Sequence, residues 1–315
     1  MPLNGNFQNL FTSGVLIDVT VSYWGGQKKL QAKDVGLDED KIPDIYSLGQ
    51  KRLLPADVIS RFRSFAERAD YLLECEAFKF PIAKLRFVPQ TRLGSLVSAL
   101  DACQAEFGAC ATEFFGNYQR IRDRMLDEYA AYREALEAYY PPLSQVRKKF
   151  SFHYDLFNIA LPKDLKLAQT TAAKVDREQK ALAAAEARLR EQAVRQVDAF
   201  LADTVATLRE KTTDLCEHVA TKIRKGDLVT EATLNSLKDW IDRFESLNFV
   251  GDRTVAQQLA HLRRTLGTRS AQEYRENGRA AQALGTALTH IITAANDLSD
   301  VAHVTGAYKR RIRLD

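Results

Sequence analysis

Residues 91–140 read TRLGSLVSALDACQAEFGACATEFFGNYQRIRDRMLDEYAAYREALEAYY. Their apolar positions are Leu93, Val97, Leu100, Cys103, Phe107, Cys110, Phe114, Tyr118, Ile121, Met125, Tyr129, Tyr132, Leu136 and Tyr140, and every step is three or four. That spacing keeps one face of an α-helix apolar, and Pro141-Pro142 stops it, so the stretch predicts one long amphipathic helix. Cys103 and Cys110 lie on the stripe together with the aromatics. Their expected role is buried packing, not thiol reactivity or the stacking of a ligand.

A second stripe follows from about Leu165, through Val175, Leu182, Leu189, Val197, Leu201, Val205, Leu208, Thr212, Leu215 and Val219 to Ile223, and ends before Gly226. A proline inside a helix costs roughly 3 kcal/mol. All eight prolines of the chain lie at or before Pro162, so the second half is free to form long uninterrupted helices. At 1.5 Å per residue this one would extend roughly 90 Å, which suits an antiparallel coiled-coil arm with the 91–140 helix as its partner. Further helices are expected from Thr230 (Leu234, Leu237, Trp240, Ile241, Phe244), after Gly251-Asp252 (Val255, Leu259, Leu262, Leu266, closed by Gly267), and over about Ser270 to Val304.

The N-terminal part is different. Val15, Ile17, Val19, Val21 and Tyr23 alternate with Leu16, Asp18, Thr20 and Ser22 before Gly25-Gly26, which predicts a strand over about 15–24. A second strand is expected over 82–88, between Pro81 and Pro89, and a third candidate is Phe150 to Leu156. Pro55 starts a helix of about 56–76 whose apolar face is Val58, Phe62, Phe65, Ala69, Leu72 and Leu73. The expected fold is mainly α: long antiparallel helices in an extended coiled-coil-like bundle, with a small β element near the N-terminus. Three segments follow: an α+β head over 1–90, a helical hairpin over 91–228 and a packing segment over 229–315.

The chain has 315 residues, 45% of them hydrophobic and 27% charged, a composition that excludes collagen-like, disordered and polytopic membrane classes. Four cysteines without Cys-x-x-Cys spacing fit a reducing compartment, and the N-terminus carries no signal-peptide pattern, so a cytoplasmic location is expected. Neither a phosphate-binding Gly-x-x-x-x-Gly-Lys-Ser/Thr nor Gly-x-Ser-x-Gly nor His-Glu-x-x-His occurs. No catalytic, cofactor-binding or metal-ligating residues are therefore assigned, and the chain is read as non-enzymatic. Asp300-x-x-His303 with Asp297 is the nearest approach to a metal pattern and occurs once, where a di-metal helical site would need it twice. Net charge is +4, and the basic residues that stand out are Arg263 and Arg264 and the tail of Lys309, Arg310, Arg311 and Arg313, a candidate contact patch for phosphates.

Two stretches carry a resemblance: SGVLIDVTVSYWGGQKKL over 13–30, and LPADVISRFR over 54–63 leading through Phe80 and Pro89 into the long helix. Over about residues 13–160 the chain resembles an uncharacterised family of phages, plasmids and integrated elements, encoded beside a MoxR-type AAA+ ATPase and a von Willebrand A-domain protein. The resemblance implies those two proteins as partners and a role in phage–host conflict. The leading expectation is thus a helical scaffold, adaptor or effector that oligomerises within an ATPase-associated assembly. Two alternatives are a membrane-active, pore-forming helical protein, with residues 284–307 as its best inserting segment, and a sequence-independent nucleic-acid binder.

Overall fold

A computed structural model of the chain describes residues 10, 13–35, 48–158, 175–226, 229–267, 269–301 and 304–305. Mainly helical, with a small antiparallel sheet element near the N-terminus, it divides into two compact units through which the chain passes more than once. The first comprises Met1–Leu16, Phe78–Leu93 and Phe157–Asp315; the second comprises Ile17–Ala77 and Gly94–Leu156. This division cuts across the three consecutive segments expected from sequence.

Six strands are described: β1 (Gly14–Ser22), β2 (Gln27–Lys29), β3 (Gln50–Arg52), β4 (Phe78–Lys79), β5 (Arg86–Pro89) and β6 (Ser151–Phe157). One sheet has the order β4-β5-β1-β6, and β2 pairs with β3. The strand expected over 82–88 is shorter than its alternation suggested. Residues 81–85 turn instead, with Ala83 at φ 53° and Leu85 N–H donating to the Ile82 carbonyl, because Pro81 has no N–H for a ladder. β4 and β5 then form a hairpin in the register Phe78 to Phe87 and Lys79 to Arg86. Gly14 opens β1 at a close backbone approach: a Cβ there would lie 2.2 Å from the Val88 carbonyl oxygen.

In the first unit, α5 (Val175–Arg224) is followed by α6 (Glu231–Leu247), α7 (Arg253–Leu266), α8 (Ala271–Glu276) and α9 (Gly278–Asn296). Expected start residues 165–174 lie outside the described residues, but the helix runs through Thr212 without a break. Side-chain acceptors cap α6 to α9 in turn: Thr230, Asp252, Ser270 in a full capping box with Glu273, and Asn277. Within this unit α5 lies along α9, not along a second helix of similar length. Phe200, Leu201, Leu208, Leu234, Leu237, Ile241, Phe244, Leu284 and Ile291 share one core with Phe78, Phe80 and Phe87. Leu284, Leu288 and Ile291, central to the expected inserting segment, are thereby buried, and no described helix is long and apolar enough to cross a membrane.

In the second unit, α1 (Ala56–Glu76) packs against α2 (Gln90–Glu128), which enters this unit at Gly94. Phe62 meets the rings of Phe107, Phe114 and Phe150 at centroid separations of 5.7, 5.7 and 4.9 Å, and Phe65 meets Phe107 at 5.7 Å. Arg61 pairs with Glu113 and Arg68 with Glu106, so residue numbers rise on one helix as they fall on the other, the register of an antiparallel pair. Those ion pairs are exposed and fix register more than stability. The buried Cys103 and Cys110 thiols are pushed up by burial, as the packing reading of the stripe expects.

The helix expected to reach Tyr140 ends at Glu128. A 3-10 turn (Ala130–Tyr132) and the short helices α3 (Arg133–Glu137) and α4 (Leu143–Arg147) follow. Tyr118 and Pro141 would be roughly 35 Å apart on a straight helix. Instead the Tyr118 hydroxyl donates to the Pro141 carbonyl at 2.6 Å, and Arg122 pairs with Glu137 at 2.5 Å. The chain has doubled back because tyrosine hydroxyls buried on the stripe need acceptors that a straight helix does not offer.

Candidate binding cavity

The reversal at Tyr129 builds a cavity of about 550 Å³ inside the second unit, within the size range of small-ligand pockets. One wall comes from the β2–β3 ribbon and the start of α1: Leu30, Asp34, Lys51, Arg52, Leu54, Pro55 and Ala56. The other comes from the end of α2 and the residues after it: Arg124, Met125, Glu128, Tyr129, Tyr132, Ala135 and Leu136.

Lys51 is the charged group at its base. β3 turns this residue inward between exposed Gln50 and Arg52, and its ammonium donates to Asp34 Oδ2 at 2.5 Å with side chains 7% and 6% exposed. It also lies 3.1 Å from the centre of the Tyr139 ring, a cation–π contact. Gln31 N–H donates to Asp34 Oδ2 at 2.8 Å, and the Tyr139 hydroxyl donates to Oδ1 at 3.2 Å. The Lys51 hydrogen bond, with the lesser help of Gln31 and Tyr139, holds the Asp34 carboxyl below its usual value of 3.8. Beside it, Tyr140 donates to the Leu53 carbonyl at 2.7 Å and is pushed up to about 12 by burial. The base is therefore a closed polar network.

A depressed carboxylate has a defined consequence. Asp34 holds its proton less tightly folded than unfolded, so its contribution to stability is complete above the usual carboxylate value and is lost as pH falls through the depressed one. Urea unfolding at pH 7 and near pH 3 should show a lower midpoint in acid, and Asp34→Asn should shrink that difference.

The rim is different in kind. Arg52, Arg124, Glu128, Tyr129 and Tyr132 are exposed, the two tyrosines at 45% and 56%. Among the described residues the side chains of Arg52, Arg124 and Glu128 have no ion-pair partner. Leu30, Leu54, Met125 and Leu136 form the apolar floor between them. An apolar floor under tyrosine and arginine is the composition of an interaction hot spot.

Sequence reading placed Met125, Tyr129, Tyr132 and Leu136 on a packing stripe and singled out none of these rim groups. The signal lay in the tyrosines clustering at its end, where hydroxyls need partners or water. The residues it did single out are elsewhere. Arg263 pairs with Asp242 and, at 3.5 Å, with Glu245, while Arg264 is exposed. Lys309, Arg310, Arg311 and Arg313 lie outside the described residues. Asp300 accepts from Arg209 Nη1 at 2.7 Å and from the Thr254 hydroxyl, and His303 lies outside the described residues. Among the described residues no cluster of histidine, cysteine and carboxylates stands ready for a metal.

Comparison with known proteins assigns the chain by family. Residues 12–293 match the model of a family described as a protein of unknown function, DUF3150, and the chain belongs to that family. The match runs from β1 well beyond residue 160, into α9 of the helical half. No curated protein and no solved structure matches the chain.

Proposed function

We propose that the protein is a non-enzymatic adaptor in which the helical first unit supplies a rigid body and the second unit docks a segment of a protein partner. The observation that carries this reading is the open cavity with its unpaired rim of Arg52, Arg124, Tyr129 and Tyr132 above an apolar floor. Tyrosine and arginine offer large contact area at low entropic cost, the usual basis of a recognition surface. The closed network of Lys51, Asp34 and Tyr139 supports the same reading, because it fixes the base so that the rim residues project from a defined frame. The partner is the AAA+ ATPase or the von Willebrand A-domain protein that the sequence resemblance implies.

Mixing the purified chain with each of those proteins and measuring assembly mass by light scattering tests the reading. A joint species is expected with one of them, reduced in amount at least several-fold by Tyr132→Ala, which removes an exposed ring without opening the core. A chain that elutes alone with both candidates, at concentrations of tens of micromolar, contradicts the proposal.

A further inference from the structure

We infer that the cavity of the second unit receives an acidic segment of its protein partner, an extended stretch in which aspartate or glutamate alternates with aliphatic side chains. This rests on the adaptor reading and gives that site its recognition chemistry.

Charge complementarity carries the inference. Asp34 is committed to Lys51, so those two charges cancel at the base. On the rim two guanidiniums, Arg52 and Arg124, oppose one carboxylate, Glu128, and the lining is left positive. An arginine fork binds a carboxylate through two parallel charge-assisted hydrogen bonds, and neither fork is occupied by a described neighbour. At the start of α1, where Pro55 and Ala56 line the cavity, Asp57 in the first turn offsets the positive end of the helix, so the positive character of the lining rests on the two arginines.

The arrangement favours a peptide over a nucleotide. Arg52 ends β3 and Arg124 lies near the end of α2, so the two forks stand on different walls of the cavity, with apolar lining between them. Glu128 repels a dense polyanion but tolerates a segment of mixed character. An extended segment sends successive side chains to opposite sides. Its aliphatic residues can then rest on Leu30, Leu54, Met125 and Leu136 while its carboxylates reach the rim. Met125, with its flexible thioether, adapts to the shape of what it receives.

A fluorescein-labelled peptide alternating glutamate with leucine, titrated into the full chain and followed by anisotropy, is the test. Binding is expected, with loss of about tenfold or more for the glutamine–leucine peptide and for the double variant Arg52→Glu, Arg124→Glu. Because neither arginine is buried or paired, that variant should keep the parent melting temperature, which separates lost recognition from lost folding. Equal binding of the glutamine peptide, indifference to the double charge reversal, or full displacement by ATP at micromolar concentration would each overturn the inference. Co-elution with the intact partner separates the two levels. A partner that still assembles with the double variant ends the acidic-segment inference and leaves the adaptor standing; absence of assembly by the parent chain ends the adaptor reading itself.

Discussion

Replacing Asp252 with alanine is expected to lower the unfolding free energy of the first unit by about 4 kcal/mol. Asp252 is fully buried and does two things at once. Its Oδ1 accepts from the Val255 N–H as the cap of α7, and its Oδ2 accepts from Arg209 Nε at 2.7 Å. Arg209 is itself 1% exposed and also donates to the Asp297 carbonyl and to Asp300. Burial works to lower its pKa, but the hydrogen bonds it donates to Asp252 and Asp300 outweigh that and the net direction is upward, so the guanidinium stays charged. Breaking a buried pair costs about 3–5 kcal/mol and a lost cap adds roughly 1, while the remaining bond to Asp300 keeps the Arg209 charge partly compensated and holds the total near the lower end, about 4. With about 2–4 °C per kcal/mol for a unit of this size, the melting temperature should fall by roughly 10 °C. Asp252→Asn keeps the capping oxygen and should fall less. A melting temperature within a degree of the parent would show that the network is not what joins α5 to the segment around α7 and residues 297–300.

The second large effect lies in the other unit. Phe62 is 2% exposed, meets three phenylalanine rings edge-on and stacks on Tyr23 at 6.1 Å. Phe62→Ala opens a cavity that rigid neighbours on α1 and α2 cannot close, at a cost of about 3–5 kcal/mol. The chain has two tryptophans, and they report separately: Trp24 is buried in the second unit against Tyr118, and Trp240 belongs to the first, where it donates to Thr212. In a Trp240→Phe background, denaturant unfolding followed at Trp24 should shift to markedly lower midpoint on Phe62→Ala. An unchanged midpoint would mean that the ring cluster is not the core of this unit.

What the amino-acid sequence made legible was governed by local periodicity. Alternation marked β1, the apolar face from Val58 to Leu73 marked α1, and the cap residues Thr230, Asp252 and Ser270 marked helix starts. Where tertiary contacts overrode periodicity, the reading failed. The stripe through Tyr129, Tyr132 and Tyr140 keeps helical spacing, yet the hydroxyls of Tyr118 and Tyr140 find backbone carbonyls only if the chain reverses. β2 and β3 are Gln-Lys-Lys and Gln-Lys-Arg, short and largely exposed, with no apolar alternation to announce them. The buried ion network joins Arg209 to Asp252 and Asp300, 43 and 91 residues away, beyond any local pattern. The cavity depends on both of the first two features, so its rim could not be assembled from sequence spacing alone.

The most direct test of the adaptor account is site-specific cross-linking in the mixing experiment. A photo-reactive benzophenone amino acid replaces Tyr132 at the cavity rim, with the same group at exposed Tyr71 as the control position. The account predicts a cross-link from position 132 to the ATPase or the von Willebrand A-domain protein, mapping to an acidic segment and suppressed by excess glutamate–leucine peptide. Equal cross-linking from positions 132 and 71, or none from position 132 while a joint species still forms, would contradict it.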